Sequence, residues 1–247
     1  MPTSSRKRNK GKDRKAKKEA KKEDDERLRV RDLWQRWTFN TCDHGCTLKV
    51  PDYHPVLRFM DLLFSNIWDN MDLFSNMRGT LQKCTEVWSN DVHRKLALDI
   101  LTNIGTNKIL IDDSAVTRNA LYIANAIIIL EQYYVGEDIS SIINNPSIAK
   151  KMRDLHPVGT GKRRDGLKFY RKRTSCKCLK KIHLEARKTT YKTDTCITCG
   201  TEKRRELVAV CSRCMVNPYC SRKCQVANWP MHRIECNRYV HESKRRL

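Results

Sequence analysis

Apolar residues between residues 32 and 155 recur at intervals of three and four, the pattern of amphipathic helices. Gly105 is the predicted end of the second of two strongly periodic segments. No period-two stretch competes strongly with this pattern, so the sequence predicts a mainly α fold with a helical domain over residues 32–155. The periodic positions are Val56, Leu57, Met60, Leu63, Phe64, Ile67 and Trp68 in the first segment, and Leu81, Cys84, Val87, Trp88, Val92, Leu96, Ile100 and Leu101 in the second.

Two more helices are predicted later in this domain. Ser114 is a candidate N-cap for a helix over about residues 115–134, which is apolar on most sides and therefore buried, and Gly136 closes it. Asn145-Pro146 begins a short helix, because proline fits the first helical turn. The prediction is a domain of three to five helices. Ordinary helix packing explains it, and two weakly similar stretches, LALDILTNIG and LYIANAIIIL, also fit an armadillo-like repeat.

Charge is unevenly distributed along the chain, which carries a net charge of +22. The middle of the chain is mildly acidic, and the flanks hold all of the positive excess. Such flanks suggest contact with acidic surfaces, with nucleic acid or with nuclear-import receptors, and each is also explained as a solvated charged segment. The net charge is +8 over residues 1–31, −5 over 32–149, +12 over 150–190 and +7 over 191–247.

Two basic segments have a composition that suggests a role. Residues 1–31 lack large apolar side chains over most of their length, which predicts a disordered or frayed-helical tail, and their clusters RKR and RKAKK resemble nuclear localisation signals. The run KRRDGLKFYRKR interleaves Phe169 and Tyr170 with cations. That pattern fits binding to an RNA or DNA backbone, and equally a solvated face or a second targeting signal.

The compartment bears on how the twelve cysteines are interpreted. No run of 18 apolar residues is present and the N-terminus is charged, so neither a transmembrane helix nor a secretory signal is expected. The expected location is the nucleus, the cytoplasm or both. Thiols stay reduced there, so metal binding is a better explanation of the cysteines than a disulfide framework.

Eight candidate metal ligands fall into four closely spaced pairs near the C-terminus, which suits two tetrahedral zinc ions. A two-residue gap lets a tight turn direct two thiolates at one ion, and a three-residue gap puts both ligands on one helix face. Ser221 is a candidate cap for a first helix, and Pro230 suits the first turn of a second. Spacing alone fits both a sequential and an interleaved pairing. The ligands are Cys196, Cys199, Cys211, Cys214, Cys220, Cys224, His232 and Cys236.

The cysteine and histidine pattern over residues 196–236 resembles a MYND-type zinc finger. The shared pattern is CxxC, eleven residues, CxxC, five residues ending at Tyr219, and then CSRKCQ, NWPMH and a final cysteine. The resemblance implies a cross-braced finger, with one zinc on Cys196, Cys199, Cys220 and Cys224. It assigns the other zinc to Cys211, Cys214, His232 and Cys236. Both sites would be closed and structural, so folding and metal binding are expected to be coupled.

The same resemblance implies a function, because MYND fingers serve as protein-interaction modules and some bind short proline-containing peptides. Gln225 and Trp229 would then lie near the peptide groove. Packing of Trp229 over the zinc site is an alternative role, since so small a domain has few other large apolar groups.

A possible third metal site comes from cysteines outside the finger. Cys42 and Cys46, in CDHGC, and Cys176 and Cys178, in SCKC, together supply four thiols. His183 or His54 can replace one of them. CxC and CxxxC are weak signals, and unliganded cysteines explain them as well.

The predicted function is that of a non-enzymatic adaptor or scaffold in which the finger binds a protein or peptide partner, with nuclear regulation as the suggested setting. An RNA- or DNA-associated factor that uses the basic flanks is the alternative. Kinship to SET-type lysine methyltransferases is disfavoured, because the chain has no NHSC-type motif and no third cysteine after SCKC. The predicted segments are a basic tail over 1–31, the helical domain over 32–155, a basic linker over 156–190, the finger over 191–240 and a basic tail over 241–247.

Overall fold

The computed structural model of the chain describes residues 14–22, 24–25, 28, 55–69, 73–156 and 162–245. Residues 14–22 are helical and exposed, and Lys15 lies 4.0 Å from Glu19. Cys42, Cys46 and His54 lie outside the described residues, as does most of the predicted tail over 1–31.

The described part of the chain is mainly helical, as predicted, and short strands occur only near the C-terminal cysteines. Between residue 55 and these strands, the helices are α1 (Pro55–Asp69), α2 (Leu73–Lys83), α3 (Thr85–Trp88), α4 (Asp91–Leu110), α5 (Ser114–Leu130), α6 (Ile139–Ile143), α7 (Pro146–Asp154), α8 (Lys162–Arg171) and α9 (Lys177–Thr189). There follow β1 (Thr193–Thr195), β2 (Glu202–Arg204), a 3-10 turn (Arg205–Leu207), β3 (Ala209–Val210), β4 (Pro218–Tyr219) and α10 (Arg222–Arg245).

Helix α5 forms the centre of the helical body, and its apolar residues are buried on almost all sides, as the sequence predicts. Its N-cap is Asp113 instead of Ser114, because the Asp113 carboxylate accepts a hydrogen bond from the Val116 N–H at 2.8 Å. The predicted start of α7 is confirmed, since Asn145 caps it and Pro146 is its first residue. None of the described helices is both long enough and apolar enough to cross a bilayer.

The predicted helix end at Gly105 is wrong, because α4 continues to Leu110. A Cβ atom at Gly105 would lie 2.1 Å from the hydroxyl of Tyr170. The Tyr170 ring is fully buried against α4, and its hydroxyl donates to the Ala120 carbonyl at 2.6 Å. Glycine is therefore required here because a ring from α8 packs directly on the helix backbone.

The predicted basic linker over residues 156–190 is also corrected, because α8 and α9 occupy most of it and belong to the core. Leu167, Phe169, Tyr170 and Leu179 are buried in the same apolar cluster as α4 and α5. The many cations of this stretch hide an amphipathic pattern, in which every lysine except the buried Lys162 lies on the outer face. Phe169 and Tyr170 are consequently unavailable to nucleic-acid bases.

The C-terminal segment is fixed to the helical body by buried charges around Asp194 of β1, which is only 3% exposed. Lys162 of α8 places Nζ 3.4 Å from one Asp194 carboxylate oxygen. Arg205, next to β2, places Nε 3.3 Å from the other. Opposite charges at these distances compensate each other's loss of water.

Further contacts extend this network to α7. Arg205 also lies 3.3 Å from Asp154 and 3.2 Å from Asp165. Burial raises the pKa of Asp165, and the nearby Arg205 opposes that effect. Arg153 donates to the carbonyl of Val216 between β3 and β4. Three cations and three carboxylates thus hold the C-terminal segment in one orientation against α7 and α8. They are Arg153, Lys162 and Arg205, with Asp154, Asp165 and Asp194.

We expect Asp194→Asn to lower the free energy of unfolding by about 3 kcal/mol, because it leaves the buried Lys162 and the partly buried Arg205 without their shared counter-charge. Urea unfolding followed by circular dichroism measures the change. Glu185→Gln is the control, since it removes an exposed partner 3.2 Å from Lys188 and should cost less than about 0.5 kcal/mol. Equal effects of the two substitutions would contradict this role of Asp194.

Candidate metal centres in the C-terminal segment

The first CxxC pair lies in a tight turn after β1. Gly200 adopts a left-handed backbone with φ of 70°, and its N–H donates to the Cys196 carbonyl at 2.9 Å. The Cys196 N–H donates to the Thr201 carbonyl at 2.9 Å, which closes the turn onto β2. This geometry directs the side chains of Cys196 and Cys199 to the same side.

The second CxxC pair repeats this turn without a glycine. Met215 has φ of 58°, its N–H donates to the Cys211 carbonyl at 2.8 Å, and the Cys211 N–H donates to the Asn217 carbonyl at 3.0 Å. A left-handed backbone costs a non-glycine residue about 1 kcal/mol. The closed turn and the pairing of β3 with β4 hold Met215 in this conformation.

Helix α10 supplies three of the remaining four ligands, and Cys220 precedes it. Ser221 caps the helix as predicted, with its hydroxyl accepting from the Cys224 N–H at 3.3 Å. The predicted break into two helices at Pro230 is wrong, because α10 runs continuously through that residue. Proline has no N–H, so the Val226 carbonyl lacks its usual helical donor. His232 and Cys236 still share one helix face four residues apart.

The eight predicted ligands gather into two groups of four, with the ligand atoms of each group all within 4.8 Å of one another. The first group is Cys196, Cys199, Cys220 and Cys224, and the second is Cys211, Cys214, His232 and Cys236. The first ligand pair therefore joins the third, and the second joins the fourth. This interleaving is the cross-brace that the resemblance implies, and it excludes the sequential pairing.

The distances within both groups suit tetrahedral zinc. Zn–S bonds of about 2.3 Å place tetrahedral sulfurs about 3.8 Å apart. The Cys220 sulfur lies 3.5 Å from those of Cys199 and Cys224. In the second group, the Cys211 and Cys236 sulfurs are 4.0 Å apart. The two groups thus fit two zinc ions.

The second group is the more deeply buried, and its histidine has outer partners. His232 directs Nε2 to the Cys214 sulfur at 3.6 Å and Nδ1 to the Asn217 amide at 2.9 Å. The outer nitrogen of a metal-bound histidine is commonly held in this way, which fixes the ring orientation. The buried ring of Tyr219 packs edge-on against His232, and its hydroxyl accepts from Asn228 at 3.1 Å.

Without metal, the thiols of each group ionise at very different pH values. Burial opposes ionisation of Cys196, but backbone N–H groups, Cys220's among them, lower its pKa to about 6. Cys211 behaves in the same way, with a pKa of about 6. Hydrogen bonding with Cys224 raises the pKa of Cys220 to about 12, and burial chiefly raises that of Cys236 to about 12. A divalent cation would let all the thiols of a group ionise together.

Four protein ligands per group leave no open coordination position, so these sites suit structural rather than catalytic zinc. The apolar cluster around them is small and consists largely of the ligand cysteines themselves, with Val216, Tyr219 and Ala149. The metal ions would therefore supply much of the stability that apolar burial provides in larger domains.

The predicted third site is only partly within the described residues. The Cys176 sulfur is buried and accepts from the Leu179 N–H at 3.5 Å, as the cap of α9. Cys178 is half-buried two residues further on, and His183 is buried on the same helix. Among the described residues, only the two groups above bring metal ligands together. The third site stays a prediction.

Gln225 and Trp229 line one groove of about 320 Å³ on the surface of this segment. Trp229 has features of both predicted roles, packing at the metal site and exposure at the groove. Its ring packs edge-on against His232, with the ring centroids 6.0 Å apart, and 38% of its surface remains exposed. Sequence reasoning missed Arg213, Arg222 and Val226, which line the same groove. Helical spacing was the signal for Arg222 and Val226, because residues 222, 225, 226 and 229 share a face. No such pattern points to Arg213, which lies in the second CxxC turn.

Comparison with known proteins agrees with this geometry. Residues 196–236 match the family model of the MYND finger. Over 44 residues the chain is 46% identical to SET domain and MYND-type zinc finger protein 6 of Schizosaccharomyces pombe. That match covers 18% of this chain and only 9% of the relative. No solved structure matches the chain. The C-terminal segment is therefore a MYND finger that binds two zinc ions.

Native mass spectrometry of the full chain should count two zinc ions in these groups. Cys224→Ser should lower the count by one, because it removes a ligand of the first group. Cys178→Ser is the matched control and should leave both ions in place. A third ion that disappears in Cys178→Ser would add the predicted site near Cys176. Fewer than two ions in the unaltered chain would contradict the two-site assignment.

Proposed function

We propose that the chain is a non-enzymatic adaptor whose MYND finger binds a short peptide segment of a partner protein. The observation that carries this proposal is the exposed groove on α10. Val226 and Trp229 present apolar surface there, with exposed fractions of 59% and 38%. Exposed tryptophan beside a concave surface is typical of residues that dominate protein interfaces.

The size of the groove supports a peptide as its occupant. A volume of about 320 Å³ accommodates a few side chains of an extended segment. Its apolar surface suits a proline or an aliphatic residue. Gln225 supplies an amide that can hydrogen-bond to a peptide backbone.

The charges around the groove favour acidic residues in that peptide. Arg213 and Arg222 line it, both are exposed, and neither forms an ion pair with any described residue. Arg222 donates to the Gln225 side chain at 3.1 Å, which orients both groups. Guanidinium groups pair well with carboxylates. We therefore infer a partner segment with a proline or aliphatic residue next to Asp or Glu.

The firm attachment of the finger to the helical body supports an adaptor role. The charges around Asp194 fix the groove relative to α7 and α8, so a bound peptide would be held in a defined position on the body. The likeness to a protein named for a SET domain is confined to the finger, so it gives no support to an enzymatic function. The basic clusters of residues 1–31 support a nuclear setting for this role.

Selection from a displayed library of random peptides, followed by fluorescence anisotropy with the selected peptides, tests this proposal. We expect Trp229→Ala to weaken binding at least about tenfold, with the zinc count unchanged, because a central buried tryptophan commonly dominates an interface. Met231→Ala is the control on the same helix; its side chain is exposed and lies outside the groove.

Two results would overturn the proposal. One is the failure of the folded, zinc-loaded chain to select any peptide. The other is equal affinity of the Trp229→Ala and Met231→Ala variants for the selected peptide.

A further inference from the structure

A second groove, of about 310 Å³, lies on the helical body beside the finger and is rich in lysine. Its base contains Ile128, Leu155 and Phe169, all buried. Lysines come to its rim from three separate elements: α7, α8 with the turn that follows it, and the segment just before β1. They are Lys151, Lys168, Lys172 and Lys192.

The other charges in this groove are already neutralised within the protein. Arg173 forms a two-fold ion pair with Glu131, at 2.9 and 2.8 Å, and its guanidinium covers the Phe169 ring at 3.7 Å. Asp154 and Asp165 both pair with Arg205. These groups therefore contribute little free charge to a ligand.

The four lysines, in contrast, form no ion pair with any described residue, although burial raises the pKa of the Asp165 carboxylate and the nearby charge of Lys192 acts on it to lower that pKa. Most of the positive charge at the rim therefore faces the groove without a partner. Like charges around one concavity repel each other and raise the local concentration of anions. A ligand with several regularly spaced negative charges would relieve that repulsion. The charge pattern therefore fits a polyanion better than a single small anion.

An exposed aromatic ring one residue along the chain from a lining lysine narrows the class of polyanion. Tyr191 directly precedes Lys192 and is 60% exposed. The Arg204 guanidinium lies over its ring at 3.7 Å, which orients it. Aromatic rings beside cationic grooves are the surfaces on which unpaired bases stack. The carboxylates of an acidic protein would pair with the lysines, but they have no ring that stacks on Tyr191.

We propose that this groove binds single-stranded nucleic acid, with the four lysines on its phosphates and Tyr191 against a base. The site uses none of the residues of the finger groove. Peptide and nucleic acid would therefore occupy separate surfaces of one rigid unit.

Fluorescence anisotropy with labelled oligouridylate and oligothymidylate of about 20 nucleotides tests this proposal. The full chain should bind both, or one in preference, and binding should weaken steeply between about 50 and 200 mM salt. Replacing the four groove lysines with glutamine should weaken binding at least about a hundredfold at low salt. It should also reduce the slope of log K against log salt by about 3, since each lost phosphate contact contributes about 0.7.

The control replaces four exposed lysines outside the groove, Lys83, Lys95, Lys180 and Lys223, with glutamine. It removes the same total charge and should leave most of the affinity and the slope intact. Tyr191→Ala should weaken binding about tenfold with an unchanged slope, because it removes stacking and no charge. Tyr134→Ala is the matched control for Tyr191→Ala, because Tyr134 is also exposed and also has an arginine, Arg94, over its ring at 5.0 Å.

Three results would each overturn the proposal: no binding of either oligonucleotide, equal losses in the two lysine variants, or no effect of Tyr191→Ala beyond that of Tyr134→Ala. Competition by polyglutamate as strong as by oligonucleotide would point instead to an acidic protein. Competition by duplex as strong as by single strand would remove the role of stacking. Trp229→Ala should leave oligonucleotide binding unchanged, so this test is independent of the peptide groove.

Discussion

The interleaved metal ligands are the constraint on which the C-terminal structure depends. Two CxxC turns, two short strand pairs and one long helix have almost no apolar core between them, and the buried residues there are mostly the ligand cysteines. Each metal group joins a CxxC turn to ligands in or beside α10. A zinc ion in each group neutralises crowded thiolates and replaces the apolar burial that so few residues cannot provide.

Buried ion pairs then fix the ordered C-terminal segment to the helical body. Asp194 lies two residues before the first zinc ligand and contacts Lys162 and Arg205. The finger is therefore held against α7 and α8. Of the lysines around the second groove, Lys151 lies on α7, Lys168 lies on α8, and Lys172 directly follows α8. The peptide groove and the lysine-rich groove thus have fixed positions relative to each other.

The sequence is most informative where short-range geometry decides the structure. Ligand spacing predicts the metal centres, periodicity predicts α1 and α5, and the Asn145-Pro146 cap predicts the start of α7, because those features depend on neighbouring residues. Prediction from the sequence fails where contacts with residues far along the chain determine the local structure. Gly105 looks like a helix end, but it accommodates Tyr170 from α8. The apolar residues of α8 and α9 are outnumbered by cations, so two core helices resemble a linker. Pro230 looks like a helix start, but the metal ligands on both sides of it belong to one helix.

Hydrogen–deuterium exchange of the full chain, with and without a zinc chelator, tests the central claim most directly. The account predicts that, after chelation, amides of residues 196–236 exchange almost as fast as in an unfolded chain, whereas α4 and α5 keep their protection. Full protection of residues 196–236 in a chain shown to be free of metal would contradict the claim that zinc holds this segment in its shape.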